Sequence, residues 1–125
     1  EALKEEKEFI LYGTDYNTPD GTCVRDYIHV LDVVEAHIIV INNILNRHGF
    51  DEMVHTYNLG TSMGSSIIDI VKMFDTDYEI GPKRLGDPDY LVANGKKFAE
   101  NFGFEYPNSS LENIIRTHRE YFFNE

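Results

Sequence analysis

Residues 20–32 read DGTCVRDYIHVLD, and this stretch decides how the middle of the chain is expected to fold. After a Gly-Thr turn, side chains alternate in character from Val24 to Val30, which predicts a β-strand. In such a strand the valines, Ile28 and Asp26 face the core, while Arg25 and Tyr27 share the opposite face. One face is therefore predicted to pack, and the other to carry chemistry. Asp26, on the core side, must find hydrogen-bond partners.

The segments that follow predict an alternation of helices and strands. Asp32, with Glu35 three residues later, resembles a capping box and predicts a helix over 33–45 that is buried on nearly all sides. Arg-His-Gly at 47–49 is typical of a helix end. Residues 54–60, VHTYNLG, predict a second strand, and Ser66 is the expected N-cap of a helix over 67–74.

The outer segments complete a pattern of the α/β class. Residues 9–12 (FILY) predict a buried strand, and DTDYEI at 75–80 predicts another short one. Asn94 is expected to cap a helix that stops at Gly103, and Ser109 with Glu112 predicts a capping box for a last helix. A strand, a Gly/Ser-rich loop and a helix in that order are typical of α/β folds.

Composition limits the classes of partner. The chain has 125 residues, of which 42% are hydrophobic and 26% charged, as in one compact globular domain. Asp and Glu number 22 against 11 Lys and Arg, and the net charge of -11 argues against nucleic acid or an anionic membrane as a partner. No apolar run approaches the ~20 residues of a membrane span.

Cysteine and histidine usage argues against a disulfide or a metal. Cys23 is the single cysteine, and no secretory leader is recognisable, so a cytoplasmic location is expected. The five histidines show no metal-ligand spacing, and we expect no metal. The opening residues, EALKEEKE, resemble the end of a helix, which suggests that the sequence starts inside a larger protein.

Two groups of charged residues are candidates for a binding site. Arg25 and Tyr27 suit a phosphate and a neighbouring ring, although an arginine in so acidic a chain can equally well pair with an acid. In KRLGD at 83–87, Lys83 and Arg84 offer cations, and Asp87 offers a carboxylate that accepts hydroxyl hydrogen bonds. Glycine and proline on either side of Asp87 fix its backbone, which a merely solvated charge would not require.

Other catalytic and binding motifs are weak or missing. The loop GTSMGSS at 60–66 has glycines four residues apart, but no lysine follows as in a P-loop, so a tight strand-to-helix turn is the expected structure. No serine stands in a nucleophile-elbow motif.

Three motifs together resemble one enzyme family. YGTDYNTPDGTCVRDYIHVLD at 12–32, YNLGT with the following GSSI, and KRLGDP at 83–88 occur in the order and roughly the spacing of UDP-glucose 4-epimerases, which are extended short-chain dehydrogenase/reductases. The resemblance covers residues 9–123. It implies an α/β fold that corresponds to the C-terminal substrate-binding portion of such an enzyme, without most of the Rossmann domain.

The resemblance also implies which parts of the chemistry lie elsewhere. In the family a glycine-rich Rossmann half binds NAD, and a Tyr-x-x-x-Lys pair with a nearby Ser or Thr abstracts a proton from the C4 hydroxyl of the sugar. Neither motif occurs in residues 1–125. We therefore expect no catalytic and no cofactor-binding residue here, and no NAD bound to this chain alone, although the complete enzyme would use it.

The family implies a grip on the uridine diphosphate part of a UDP-sugar. Arg25 and Arg84 would contact the diphosphate, Asp87 the ribose hydroxyls, and Tyr12 the uracil. The substrate-binding residues expected on this basis are Tyr12, Arg25, Tyr27, Ile67, Arg84 and Asp87.

Three interpretations of function stay open at this point. The first is that residues 1–125 are the UDP-hexose-binding portion of an epimerase, completed by a separate Rossmann-half polypeptide or by a homodimer. The second is a non-catalytic nucleotide-sugar binding module, and the third is a degenerate fragment that survives as an interaction domain. The sequence does not indicate which UDP-hexose would be bound.

Overall fold

The computed structural model describes residues 9–46 and 54–123. These residues form short β-strands and α-helices in mixed order, which confirms the α/β class. The elements in chain order are β1 (Phe9–Tyr12), β2 (Val24–Arg25), α1 (Val30–Leu45), β3 (Ser65–Ser66), α2 (Ile67–Phe74), β4 (Tyr78–Gly81), β5 (Tyr90–Leu91), α3 (Lys96–Phe102) and α4 (Leu111–Phe123).

The strands form two separate small sheets. In the first, β1 pairs in parallel with β4, so that Phe9 lies opposite Tyr78 and Tyr12 opposite Gly81. In the second, β2 lies between β3, which is antiparallel to it, and β5, which is parallel. The predicted strand at 9–12 is confirmed, although only Leu11 of it is buried, and the strand predicted from DTDYEI is found as β4.

The strand predicted from Val24 to Val30 is wrong beyond Arg25. Asp26 still donates its N–H to the Leu91 carbonyl at 3.2 Å, but its carboxylate turns to the loop at 61–62. There it accepts from the backbone N–H groups of Thr61 and Ser62 and from the Thr61 hydroxyl, so the predicted need for partners at Asp26 is confirmed. These loop contacts draw the chain out of the sheet.

Helix α1 begins earlier than predicted, and Asp32 is not its cap. His29 precedes the helix, and its Nδ1 accepts the Leu31 N–H at 3.1 Å. Asp32 lies in the first turn with 0% of its surface exposed. Its carboxylate accepts from the Asn108 backbone N–H and side-chain amide and from the Ser109 hydroxyl. The acid therefore ties α1 to the start of α4.

The prediction that α1 is buried on nearly all sides is wrong. Only Asp32 and Ala36 of this helix are buried. A series of large apolar side chains instead faces outward, each at least 48% exposed, and we call these residues the α1 apolar stripe: Val30, Leu31, Val34, Ile38, Ile41, Ile44 and Leu45. No described residue covers this stripe, which is why its apolar character did not lead to burial.

Residues 54–60 were predicted as a strand, and that prediction is also wrong. The structure assigns no strand to this segment. Tyr57 and Leu59 pack instead against a buried cluster of Ala36, Phe98 and Phe104. A strand needs a neighbour that supplies backbone hydrogen bonds, and the described residues offer none beside this segment.

The helix boundaries follow local signals, with two corrections. Ser66 caps α2 as predicted, and Gly103 ends α3 with a positive φ of 62°. Asn94 accepts the Lys96 N–H, although Gly95 is the residue directly before α3. Ser110, not Ser109, accepts the Asn113 N–H at the start of α4, while Ser109 Oγ accepts the His29 N–H and donates to Asp32.

Two sequence predictions fall on residues that the structure does not describe. These are the helical character of 1–8 and the Arg-His-Gly helix end at 47–49. Among the four described helices, none combines the length with the apolar character that a bilayer crossing requires.

Candidate functional site

A cavity of about 250 Å³ opens between the two sheets and the start of α2. It brings together five of the six residues predicted to bind substrate. Its lining comprises Phe9, Ile10, Leu11, Tyr12, Thr22, Cys23, Arg25, Ile67, Arg84 and Asp87. Residues that are up to 78 positions apart in the chain (9 and 87) therefore share one hollow, as the motif resemblance required.

Tyr12 and Arg84 form one wall of this cavity. The guanidinium carbon of Arg84 lies 4.0 Å from the centroid of the Tyr12 ring, within the range of a cation–π contact. Gly81 pairs with Tyr12 across the first sheet, and a Cβ at Gly81 would come within 2.8 Å of Ile10 and 3.2 Å of the Tyr12 ring. The Tyr12 ring can lie in this position because residue 81 has no side chain.

Arg25 forms the opposite side through three hydrogen bonds. Its Nη1 donates to the Val24 carbonyl at 2.7 Å and to the Pro88 carbonyl at 3.0 Å, and its Nη2 donates to Asp87 Oδ1 at 2.5 Å. Arg25 does pair with an acid, which was the alternative to a role in phosphate binding. That acid is itself one of the predicted site residues, so the pairing builds the cavity.

A tight turn presents Asp87. The Asp87 N–H donates to the Arg84 carbonyl at 3.3 Å, and Gly86 has a φ of 80°, which side-chain-bearing residues rarely adopt. Pro88 follows and fixes the backbone on the other side. The turn places Arg84 and Asp87 on the same cavity. This agrees with the prediction that glycine and proline fix the backbone at Asp87.

Sequence reasoning missed Tyr16. Its side chain is 4% exposed, and its hydroxyl donates to Asp87 Oδ2 at 3.0 Å. Burial raises the pKa of the Tyr16 phenol, and the hydrogen bond to the Asp87 carboxylate raises it further. The Lys83 ammonium lies 4.0 Å from the centroid of the same ring. The only signal in the sequence was an aromatic residue in a polar turn, TDYNT, where a ring has little reason to be solvated.

Tyr27 does not line this cavity. It lines a second hollow of about 500 Å³ with Thr61, Met63 and Tyr106 among its neighbours. Burial raises the pKa of the Tyr27 phenol. The expectation that Tyr27 shares a strand face with Arg25 is wrong, because the strand ends at Arg25.

The charges of the first cavity suit an anionic ligand that also bears hydroxyl groups. Arg84 is exposed and its guanidinium lies over the Tyr12 ring, while the Asp87 carboxylate keeps acceptor capacity beyond its two hydrogen bonds. Within residues 9–46 and 54–123, no group of three His, Cys, Asp or Glu side chains is arranged to hold a metal ion. Cys23 is buried and has a free thiol.

Comparison with known proteins identifies relatives of the whole chain. Residues 1–60 match the model of the NAD dependent epimerase/dehydratase family. The UDP-glucose 4-epimerase of Lactobacillus helveticus is 34% identical over 122 residues, which cover 93% of this chain and 36% of that protein.

Solved structures give the same result. The UDP-glucose 4-epimerase from Brucella ovis in complex with NAD matches with a TM-score of 0.83 and 37% identity, over 97% of this chain and 38% of that one. The enzyme from Bifidobacterium longum in complex with NAD+ and UDP matches with a TM-score of 0.77 and 37% identity, over 90% and 34%.

The chain spans a little over a third of the length of the curated relative described above. The identity and the structural agreement extend over nearly all of the 125 residues. The chain resembles the UDP-glucose 4-epimerases over nearly all of its length and has the fold of part of an extended short-chain dehydrogenase/reductase.

Proposed function

We propose that this chain is the UDP-hexose-binding portion of a UDP-glucose 4-epimerase, which interconverts UDP-glucose and UDP-galactose through an NAD-dependent 4-keto intermediate. The observation that carries the proposal is the cavity shared by Tyr12, Arg25, Ile67, Arg84 and Asp87. A relative of 37% identity is described as a complex with NAD+ and UDP, which supports the choice of ligand.

Each cavity residue has a role that its chemistry allows. Arg84 and Arg25 would bind the diphosphate, because guanidinium groups make short charge-assisted bonds to phosphate oxygens. Asp87 would accept from the ribose hydroxyls. Tyr12 offers a ring for the uracil, and Ile67 an apolar contact at the start of α2. Tyr27, which lies on the second hollow, remains a proposed contact beyond the nucleotide.

Binding of the uridine diphosphate would assist a reaction that takes place elsewhere on the substrate, at the sugar. Binding energy from the uridine diphosphate, which does not react, can hold the substrate while the sugar ring changes orientation. This chain contributes binding and orientation only. We propose no proton transfer by any of its residues, since no tyrosine is followed four positions later by a lysine.

The residues of this chain do not fit NAD. None of the nine glycines starts a G-x-x-G-x-x-G motif, so the backbone that would cradle a pyrophosphate is not encoded here. We propose that residues 1–125 form one C-terminal UDP-sugar-binding portion and that a Rossmann domain outside these residues holds the cofactor.

The α1 apolar stripe supports a partner for this chain. Seven large apolar side chains on one helix would lie exposed without a cover, and an area of this kind on a globular protein is typical of an interface. We propose that a Rossmann-half polypeptide covers the stripe, with a second copy of this chain as the alternative. A cytoplasmic location is part of the same proposal, because the single cysteine is a free thiol.

Titration with UDP tests the binding proposal. Arg84→Ala is expected to weaken UDP binding by about tenfold to a hundredfold, or roughly 1.5–3 kcal/mol, measured by calorimetry. Arg116→Ala is the matched control, because Arg116 is exposed on α4, pairs with Glu120 and does not line the cavity. An unchanged affinity in Arg84→Ala would remove Arg84 from the diphosphate site.

A reconstitution experiment tests the enzymatic proposal. The chain is mixed with the NAD-binding portion of a related epimerase, NAD and UDP-galactose, and formation of UDP-glucose is followed. Turnover supports a substrate-binding portion of an epimerase. Binding of UDP without turnover supports a non-catalytic module, and failure to bind UDP in the mixture favours a degenerate interaction fragment.

A further inference from the structure

We propose that Tyr16 is a positioning residue that aims the Asp87 carboxylate at the ribose, so that the cavity selects ribonucleotides over nucleotides that lack the sugar hydroxyls. The inference rests on the proposed nucleotide binding and adds a residue and a selectivity to it. Tyr16 does not line the cavity itself.

The two oxygens of Asp87 are held by two different donors. Oδ1 accepts from Arg25 at 2.5 Å, and Oδ2 accepts from the Tyr16 hydroxyl at 3.0 Å. A carboxylate oxygen accepts up to two hydrogen bonds, so one acceptor position remains on each oxygen. Two neighbouring ribose hydroxyls are the donors that this pair of acceptors matches.

The Tyr16 hydroxyl restricts a rotation of the Asp87 carboxylate that Arg25 alone does not restrict. Arg25 contacts only Oδ1, and a carboxylate bonded at one oxygen can still rotate about the Cβ–Cγ bond, because this torsion has a broad energy profile. The second bond, at Oδ2, defines the plane of the carboxylate. Tyr16 therefore orients the Asp87 carboxylate, which lies in an exposed turn.

Tyr16 is itself rigidly held. Its ring is buried, and its N–H donates to the Gly21 carbonyl at 2.9 Å. Gly13 has a φ of 83°, and a Cβ there would come within 2.7 Å of the Tyr16 ring, so β1 can turn tightly against the tyrosine only because residue 13 is glycine.

The same ring supports the 82–89 loop at a second point. The Lys83 ammonium lies 4.0 Å from the ring centroid and 3.3 Å from the Asp89 carboxylate. Lys83 and Asp87 thus both contact Tyr16, one on the face of the ring and one at the hydroxyl. A single buried side chain holds the loop that carries the proposed ribose acceptor.

A purely structural role for Tyr16 makes a different prediction. If the tyrosine only packs the loop, its loss lowers affinity for every nucleotide that uses the cavity. If it orients Asp87, removal of its hydroxyl lowers affinity only for ligands that carry ribose hydroxyls. The ratio of two affinities therefore separates the two roles.

The experiment compares UDP with 2′,3′-dideoxy-UDP on the full chain by calorimetry. The wild-type chain is expected to prefer UDP by roughly a hundredfold or more, since two hydrogen bonds to a carboxylate are lost with the dideoxy ligand. Tyr16→Phe is expected to bring the ratio towards one while the affinity for the dideoxy ligand stays unchanged. Tyr121→Phe, at a phenol that is 80% exposed on α4, is the matched control and should keep the wild-type ratio.

Each result decides something different. A wild-type ratio that persists in Tyr16→Phe overturns the role of Tyr16, and so does an equal loss of affinity for both ligands. Equal wild-type binding of the two ligands overturns the selectivity but leaves the diphosphate site standing. Binding of neither ligand overturns the proposed function itself, and this inference with it.

Discussion

Asp87 Oδ1 accepts a hydrogen bond from Arg25 Nη2 at 2.5 Å, although the two residues stand 62 positions apart in the chain. The side chains are only 18% and 27% exposed, so solvent screens the pair incompletely. The bond joins the second sheet to the turn that carries Arg84, and it gives one side of the cavity a fixed geometry.

Replacement of Arg25 is expected to damage both binding and stability. Arg25→Ala leaves Asp87 with a half-buried, unpaired charge and frees the Pro88 carbonyl, so the free energy of unfolding should fall by about 1–3 kcal/mol. UDP affinity should fall by at least tenfold. Arg25→Lys retains the charge but not the planar fork, and it should recover stability more than affinity. Calorimetry and urea unfolding check this, and full affinity in Arg25→Ala would contradict it.

The buried phenols predict a loss of stability in alkali. The pKa of Tyr16 is raised in the folded chain from its ordinary value of 10.0, first by burial and then by the Asp87 carboxylate. The unfolded chain therefore releases this proton at lower pH, and the stability gained from the neutral phenol is lost as the pH rises through the folded-state pKa.

Urea midpoints measured from about pH 8 to about pH 11 check this alkaline effect. Tyr16→Phe should show a shallower decline than the wild-type chain. Tyr27→Phe should do the same, because burial raises that pKa as well. Identical slopes in all three proteins would refute the assignment.

Asp32 should be the most sensitive polar position of α1. Asp32→Ala removes the acceptor of two Asn108 donors, the backbone N–H and the side-chain amide, and of a third donor, the Ser109 hydroxyl, inside the protein. We expect the free energy of unfolding to fall by about 2–4 kcal/mol in a urea titration. Glu35→Ala, at an exposed position one turn away on α1, should change it by less than about 0.5 kcal/mol.

The α1 apolar stripe can be tested with polar residues that keep the helix. Ile38 and Ile41 are 52% and 53% exposed, and glutamine favours helices nearly as well as alanine. The double change to glutamine should weaken association of this chain with an NAD-binding portion, or with itself, at little expense in stability. Sedimentation velocity over a concentration series gives the readout. Tyr121→Gln removes an aromatic side chain that is 80% exposed on α4, and an equal effect of that change would count against the stripe.

Local features of the fold were predictable from the sequence because their causes are local. Ser66 caps α2 with its own hydroxyl, and Gly103 and Gly86 occupy positions with positive φ. Each effect depends on one residue and its immediate neighbours. That no strand forms at 54–60 was not predictable in this way, since a strand depends on a paired neighbour from elsewhere in the chain.

The errors around residues 26–32 have a different origin. Alternation from Val24 to Val30 is real, but Asp26 and His29 find hydrogen-bond partners that end the strand and begin the helix early. Local propensity cannot weigh a loop 35 residues away that offers three donors to one carboxylate.

The candidate site was partly predictable for a related reason. Motif resemblance identified Arg25, Arg84 and Asp87, and the structure places all three on one cavity. It could not find Tyr16, whose role exists only in three dimensions, through a bond to a residue 71 positions later.

The cavity lies across two sheets that share no hydrogen-bonded strand, with Tyr12 on the first and Arg25 on the second. A nucleotide bound there would add a second link between the two sheets, beside the Arg25–Asp87 bond. Saturating ligand should therefore delay the thermal opening of both sheets together, since a ligand that needs both is released when either one opens.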